Sequence, residues 1–240
     1  MKLSDASAIY VGAVEASKVY VGATEVWSAS APPPPPSVVG NSQGVDVGAG
    51  TLTTAPTMPS GVQDGDRLFL AMMVTDSSAG VTVTPTVPAG WTVVNAIANQ
   101  GTCQRALYTA VYSAGLAMPS WAYSASRRGS WACVAVRNVT AYQTSLTDLG
   151  SSGAVLTAPA ITATGAGLTL RMFVRKDNLS TSVTTPASHT LIASALGLAG
   201  PAPHVMTCQA AQAAAGTTGT AACTWSASSA NGTSWTVSIT

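Results

Sequence analysis

From Ser37 to Thr240 the chain reads twice through one series of short segments. Leu52-Thr53-Thr54-Ala55-Pro56 returns as Leu156-Thr157-Ala158-Pro159. Leu68, Leu70, Met72 and Val74 alternate along one run, and Leu168, Leu170, Met172 and Val174 do the same one hundred residues later. Pro88-Ala89-Gly90-Trp91-Thr92 matches Pro186-Ala187-Ser188-His189-Thr190. Tyr123-Ser124-Ala125-Ser126 with Ser130-Trp131 matches Trp225-Ser226-Ala227-Ser228 with Ser234-Trp235. The matches keep their order, and small loop indels account for the drift in spacing. Such a series predicts a duplicated unit of about 95 residues, here residues 45–140 and 148–240. Whatever one unit folds into, the other must build again.

Each unit consists of short runs of Val, Ile, Thr, Leu and aromatic residues. Turn clusters separate them: Pro59-Ser60-Gly61, Asp76 to Gly80, Arg127-Arg128-Gly129 and Ala230-Asn231-Gly232. Strands at this spacing predict an all-β, jelly-roll-like β-sandwich. Two half-units of four or five strands would pair across one core, giving a pseudo-symmetric sandwich of about ten strands. Two separate small sandwiches are the alternative, but no linker interrupts Asn138 to Gly153. Gln209 to Ala215 is Ala-rich and helix-like; its place in the series makes it strand.

Ahead of this body stands a shorter repeat. Ser7 to Glu15, with Tyr10-Val11-Gly12, returns ten residues later as Ser17 to Glu25, with Tyr20-Val21-Gly22, and Val26-Trp27 closes it. Each copy reads as strand, glycine turn, strand. A two-strand unit cannot stand alone in water. Tyr10, Val11, Tyr20, Val21 and Trp27 are therefore the predicted anchoring or oligomerising residues. Pro32 to Pro36 then form a stiff polyproline spacer of roughly 15 Å. The predicted division is residues 1–27 as anchor, 28–37 as linker and 38–240 as sandwich.

Composition narrows the function. Charged residues are 8% and the net charge is +1, which excludes the clustered Lys/Arg of a nucleic-acid footprint. No apolar run reaches the ~18–20 residues of a membrane helix, and Met1 to Asp5 opens no secretory leader. The two histidines, His189 and His204, belong to no metalloprotease, esterase or phosphate-loop motif. The sequence therefore predicts no enzyme, no cofactor and no metal. Asp64-Gly65-Asp66 reads as a turn feeding the strand at Arg67, with cation contact as the lesser alternative. Cys208 and Cys223 flank a turn, so both a disulfide and two buried thiols stay open. No partner can be deduced for Cys103 or Cys133. Trp91, Trp121, Trp131, Trp225 and Trp235 read as core or subunit interface. The alternative is a sugar platform, whose surface contacts would be Trp121, Arg127 and Arg128.

The Tyr-Val-Gly repeat ending in Glu25-Val26-Trp27, followed by the proline spacer, resembles the N-termini of minor tail proteins of tailed phages that infect actinobacteria. In the body, Asp64 to Leu70, Pro88-Ala89-Gly90-Trp91 and Ser130 to Val136 are similar to that family's short structural motifs. The resemblance covers nearly the whole chain and brings no catalytic residues with it. It implies a virion structural protein, a fibre or tip component assembled in the host cytoplasm. It further implies a homo-oligomer, preferably a trimer, that touches other virion proteins through residues 1–27 and a host-surface glycan through its head. No nucleic acid or membrane insertion is expected. A capsid decoration or head-fibre protein is one alternative, and a secreted carbohydrate-binding module another.

Overall fold

The computed structural model of the chain describes residues 10–11, 14–16, 18–21, 24–28, 33–46, 53–75, 83–100, 103–125, 127–148, 153–177, 180–196, 202–229 and 231–240. The predicted turn at Asp76 to Gly80 lies outside them. Every regular element described is a strand. The chain divides into two compact units, Met1–Pro34 and Pro35–Thr240.

The first unit holds two antiparallel hairpins. β1 (Tyr10–Val11) pairs with β2 (Val14–Glu15), and β3 (Lys18–Val21) pairs with β4 (Thr24–Ser28).

The second unit opens with eight strands: β5 (Ser37–Asp46), β6 (Thr53–Thr54), β7 (Arg67–Thr75), β8 (Val83–Thr86), β9 (Trp91–Gln100), β10 (Cys103–Val111), β11 (Ser120–Tyr123) and β12 (Arg128–Arg137). They form a five-stranded sheet, β5-β12-β7-β10-β9, and a three-stranded sheet, β6-β11-β8. Ten more follow: β13 (Tyr142–Asp148), β14 (Gly153–Ala158), β15 (Thr162–Ala163), β16 (Gly167–Asp177), β17 (Val183–Thr184), β18 (Thr190–Ala195), β19 (Ala202–Gln212), β20 (Gly216–Thr217), β21 (Ala221–Ser229) and β22 (Gly232–Ile239). These form β13-β22-β16-β19-β18 and β14-β21-β17, with β15-β20 as an added ribbon. Strand order is the same in both halves once that ribbon is set aside. In each, the wind is that of a jelly roll with its fifth strand moved beside the sixth. Gln209 to Gln212 end β19, so the first part of the helix-like stretch is strand as expected, whereas Ala213 to Ala215 lie in the bend that follows.

Three cores result, where the sequence predicted one. Leu68, Leu70, Tyr108, Trp121 and Trp131 fill the first sandwich. Leu156, Phe173, Met206 and Trp225 fill the second. The largest lies between the two five-stranded sheets, where Phe69, Met73, Leu107 and Val134 meet Leu170, Met172, Val205 and Trp235. The head is thus four layers of three, five, five and three strands. The expected ten-strand sandwich is its centre, and each half also closes a sandwich of its own.

Contacts across that centre are concentrated on one side. β5 packs on β18 and β19, and β12 packs on β18 and β19. On the other side of the β7·β16 contact, Arg105 of β10 pairs with Asp148 of β13, and Trp235 Nε1 of β22 donates to Asn95 Oδ1 of β9 at 2.9 Å. These two side-chain contacts join the counterparts of β5–β19 and β12–β18, so the second side repeats the pairing of the first only at its polar contacts.

The residue matches hold less well than the strand order. Pro88 to Trp91 and Pro186 to His189 make the same turn. Trp91 N–H donates to Pro88 O at 3.3 Å and His189 N–H to Pro186 O at 3.2 Å. The third residue has positive φ in both, 92° at Gly90 and 60° at Ser188. Tyr123 and Trp225 also correspond, since each pairs with the valine opposite it, Val83 and Val183. The alternating strands do not correspond. Leu68, Leu70, Met72 and Val74 face their own sandwich, whereas Leu168, Leu170, Met172 and Val174 face the central core. Trp131 and Trp235 part in the same way. β7 is apolar on both faces, so its alternation carries no phase, and a slip of one residue exchanges the faces. The structural partners of Leu170 and Met172 are accordingly Phe69 or its same-face neighbours, not Leu70 and Met72.

Candidate functional site

The predicted anchor residues all lie on hairpin strands. Tyr10 pairs with Glu15 and Val11 with Val14; Tyr20 pairs with Glu25 and Val21 with Thr24. The ten-residue sequence repeat therefore yields two hairpins of one register. In the second, Val19 faces Trp27 beyond a bulge. The unit presents strands of two to five residues, too short for independent stability in water.

The tryptophans of the head take the core places that were their first reading, not those of the glycan alternative. Trp121 is 0% exposed in the first sandwich, and its indole N–H donates to Tyr108 Oη at 2.9 Å. It offers no face to a sugar. The other four tryptophans of the head are also buried, Trp91 being the most exposed at 8%. Arg127 and Arg128 do not form a turn tip. The bend is at Ser124 and Ala125, and Arg128 already pairs with Thr75 as the first residue of β12. Both arginines are half-buried. Gly129 follows because nothing larger fits: a Cβ there would lie 2.0 Å from Thr54 Oγ1, which accepts from Tyr123 Oη.

Asp64-Gly65-Asp66 is the turn the sequence predicts, and it is tightly built. Gly65 has φ 93°. Asp66 is 2% exposed, takes Nε and Nη2 of Arg137 at 2.9 Å each, and accepts from Gln63 N–H at 2.8 Å. The Arg137 hydrogen bonds hold its carboxyl below the usual carboxylate range, against the opposing effect of burial. Asp64 accepts from Ala114 N–H at 2.8 Å. These residues line an open depression of about 340 Å³ with Asn138 and Val139. Asn138 Nδ2 donates to Pro35 O at 3.3 Å. The point where the chain enters the head is thereby tied to the Asp66–Arg137 pair. Both carboxylates are committed to the turn and to Arg137.

Sequence reading missed a second polar cluster. β16 turns Arg171 and Arg175 into the second sandwich, each 0% exposed. Arg171 donates to Pro159 O at 2.6 Å, Gly219 O at 2.8 Å and Thr218 O at 3.2 Å, and also to Thr236 Oγ1. Arg175 donates to Ala154 O and Ala227 O and lies 5.4 Å from the Trp225 ring. Buried His204 packs on the other side of that neighbourhood, 5.5 Å from Trp225. Carbonyl oxygens accept from both guanidiniums, and burial lowers the pKa of Arg171. The signal was present: β16 alternates leucine with threonine and arginine, so its polar face needed partners.

The four cysteines are buried, and none forms a disulfide. Cys208 and Cys223 share the core around Trp225, and burial pushes each thiol up to about 12. Among the described residues, no three of His, Cys, Asp and Glu come together to hold a metal ion. No helix is long and apolar enough to cross a membrane. Comparison of the chain with known protein families, curated proteins and solved structures found no match.

Proposed function

We propose that the chain is a structural part of a phage virion, a minor tail protein serving as fibre or tip component. It docks on the particle through residues 1–27 and displays the four-layered head. One observation carries this reading. Two hairpins of one register, too small to stand alone, form a unit separate from the head and precede a run of prolines. Such hairpins need a partner surface, and a fixed register repeated at ten residues suits a repeated surface, whether other virion proteins or further copies of the chain. The head supports the same reading with three cores and little charge, which favour a durable displayed body. Its recurring strand order is what a duplicated unit would give. The burial of Trp121 weighs against the carbohydrate-module alternative, because stacking on a sugar needs an exposed ring face.

In this reading residues 1–27 join three chains. The test compares the solution mass of the full chain with that of a chain starting at Ser37. The expected result is that removing the first 36 residues divides the number of chains per particle by three. Equal numbers in both would overturn the trimer anchor.

A further inference from the structure

Exposed sheet edges are templates for strand addition, and proteins blunt them by shortness, proline, charge or bulges. Nearly every edge of this head is blunted. In the five-stranded sheets, β9 is shifted out of register against β10 at two places, β5 against β12 at one, and β18 against β19 at one. In the three-stranded sheets, β6 and β17 have two residues each, β8 carries Pro85, and β14 is broken by a register shift. β13 has none of these devices. It pairs with β22 over seven consecutive residues without a shift, from Tyr142↔Ile239 to Asp148↔Thr233. Among the described residues it has a strand on one side only. No charge interrupts it before Asp148, which is paired with Arg105 at 2.7 Å.

We propose that β13 is a two-fold interface, on which a second copy of the chain adds its own β13 antiparallel, joining two five-stranded sheets into one of ten. Self-pairing fits the strand's chemistry. Centred on Ser145, it sets Gln143 against Thr147 and Thr144 against Leu146, with no like charges opposed. The two Asp148 carboxylates would stand six residues, about 20 Å, apart along the strands, and each keeps its own Arg105. Tyr142 and Leu146, partly buried at the rim of the central core, would gain cover from the neighbour's strand. This interface is independent of residues 1–27 and of the virion reading.

The test uses the full chain and Ser145→Lys, which places two ammonium groups opposite each other across the proposed pair. Where residues 1–27 hold three chains and β13 joins two such trimers, loss of the two-fold contact halves the particle mass. An equimolar mixture of S145K and S145E restores it. In the wild type, hydrogen exchange over residues 142–148 slows as protein concentration rises; in S145K it does not. A particle mass that S145K leaves unchanged, or exchange at 142–148 that is independent of concentration in the wild type, overturns the proposal.

Discussion

The Asp66–Arg137 pair fixes the corner where the chain enters the head. Its carboxyl titrates below the ordinary range in the folded protein because two Arg137 nitrogens and the Gln63 amide donate to it. A depressed folded pKa adds stability above the unfolded value, near 4, and that contribution is lost as pH falls through the folded value. Asp66→Asn should therefore lower the melting temperature by a few degrees at pH 7. The gap to wild type should close as the pH is brought below about 4, as thermal melts across pH 2–7 would record. The turn at this corner was legible in advance, since Asp-Gly-Asp before an apolar run marks a turn. It did not reveal Arg137, which lies 71 residues away and meets Asp66 only through the β7–β12 pairing. Trp121 lies in the core, the first of its two readings, and the sequence left the choice open for a related reason. Its short strand is exposed at Ala122 but buried at Trp121 and Tyr123, and only the sheet above it decides which face is covered.

At the scale of elements, the two central strands show what periodicity can and cannot tell. In β16 the alternation is real: leucine and methionine face the central core, while Thr169, Arg171 and Arg175 face the sandwich of their own half. In β7 both faces are apolar, so the run announces a buried strand and leaves its phase open. That the strands of one half recur in the other was thus legible from the ordered matches; their order within the sheets and the face of each residue were not. Arg171 shows what the polar face of β16 does. Its fan of donors fastens the loops beside β15 and β20 to the five-stranded sheet. Arg171→Met removes the whole fan; Pro159 O keeps Thr236 Oγ1 and Gly219 O keeps Thr218 Oγ1, so Thr218 O is the carbonyl that loses its donor, at about 1–3 kcal/mol. Expected is a loss of about 1–3 kcal/mol in urea unfolding, with the first proteolytic cuts near Ala213 to Gly219. Arg171→Lys should not rescue it, because a single ammonium cannot span the same fan.

Over the whole molecule, the central core makes the head more than two sandwiches on a string. Separating the halves would expose Phe69, Val134, Leu170, Trp235 and their neighbours, all 0% exposed in the folded chain. The two halves should therefore unfold in one calorimetric transition. Trp235→Ala, a cavity substitution costing about 3–5 kcal/mol, should speed hydrogen exchange in β7 and β12 as well as in β16 and β22. Two resolved transitions would mean that the halves fold independently. That durable head, carried behind a proline run on hairpins that need a partner, is the basis for placing the chain on a virion. The most direct test is immunogold labelling, with antibody against residues 37–240, of tailed-phage particles purified from the chain's source. The account predicts gold at one fixed position on the tail or tip, and loss of that label when particles are assembled with a chain lacking residues 1–27. Unlabelled particles, with the chain recovered only in the particle-free fraction, would contradict it.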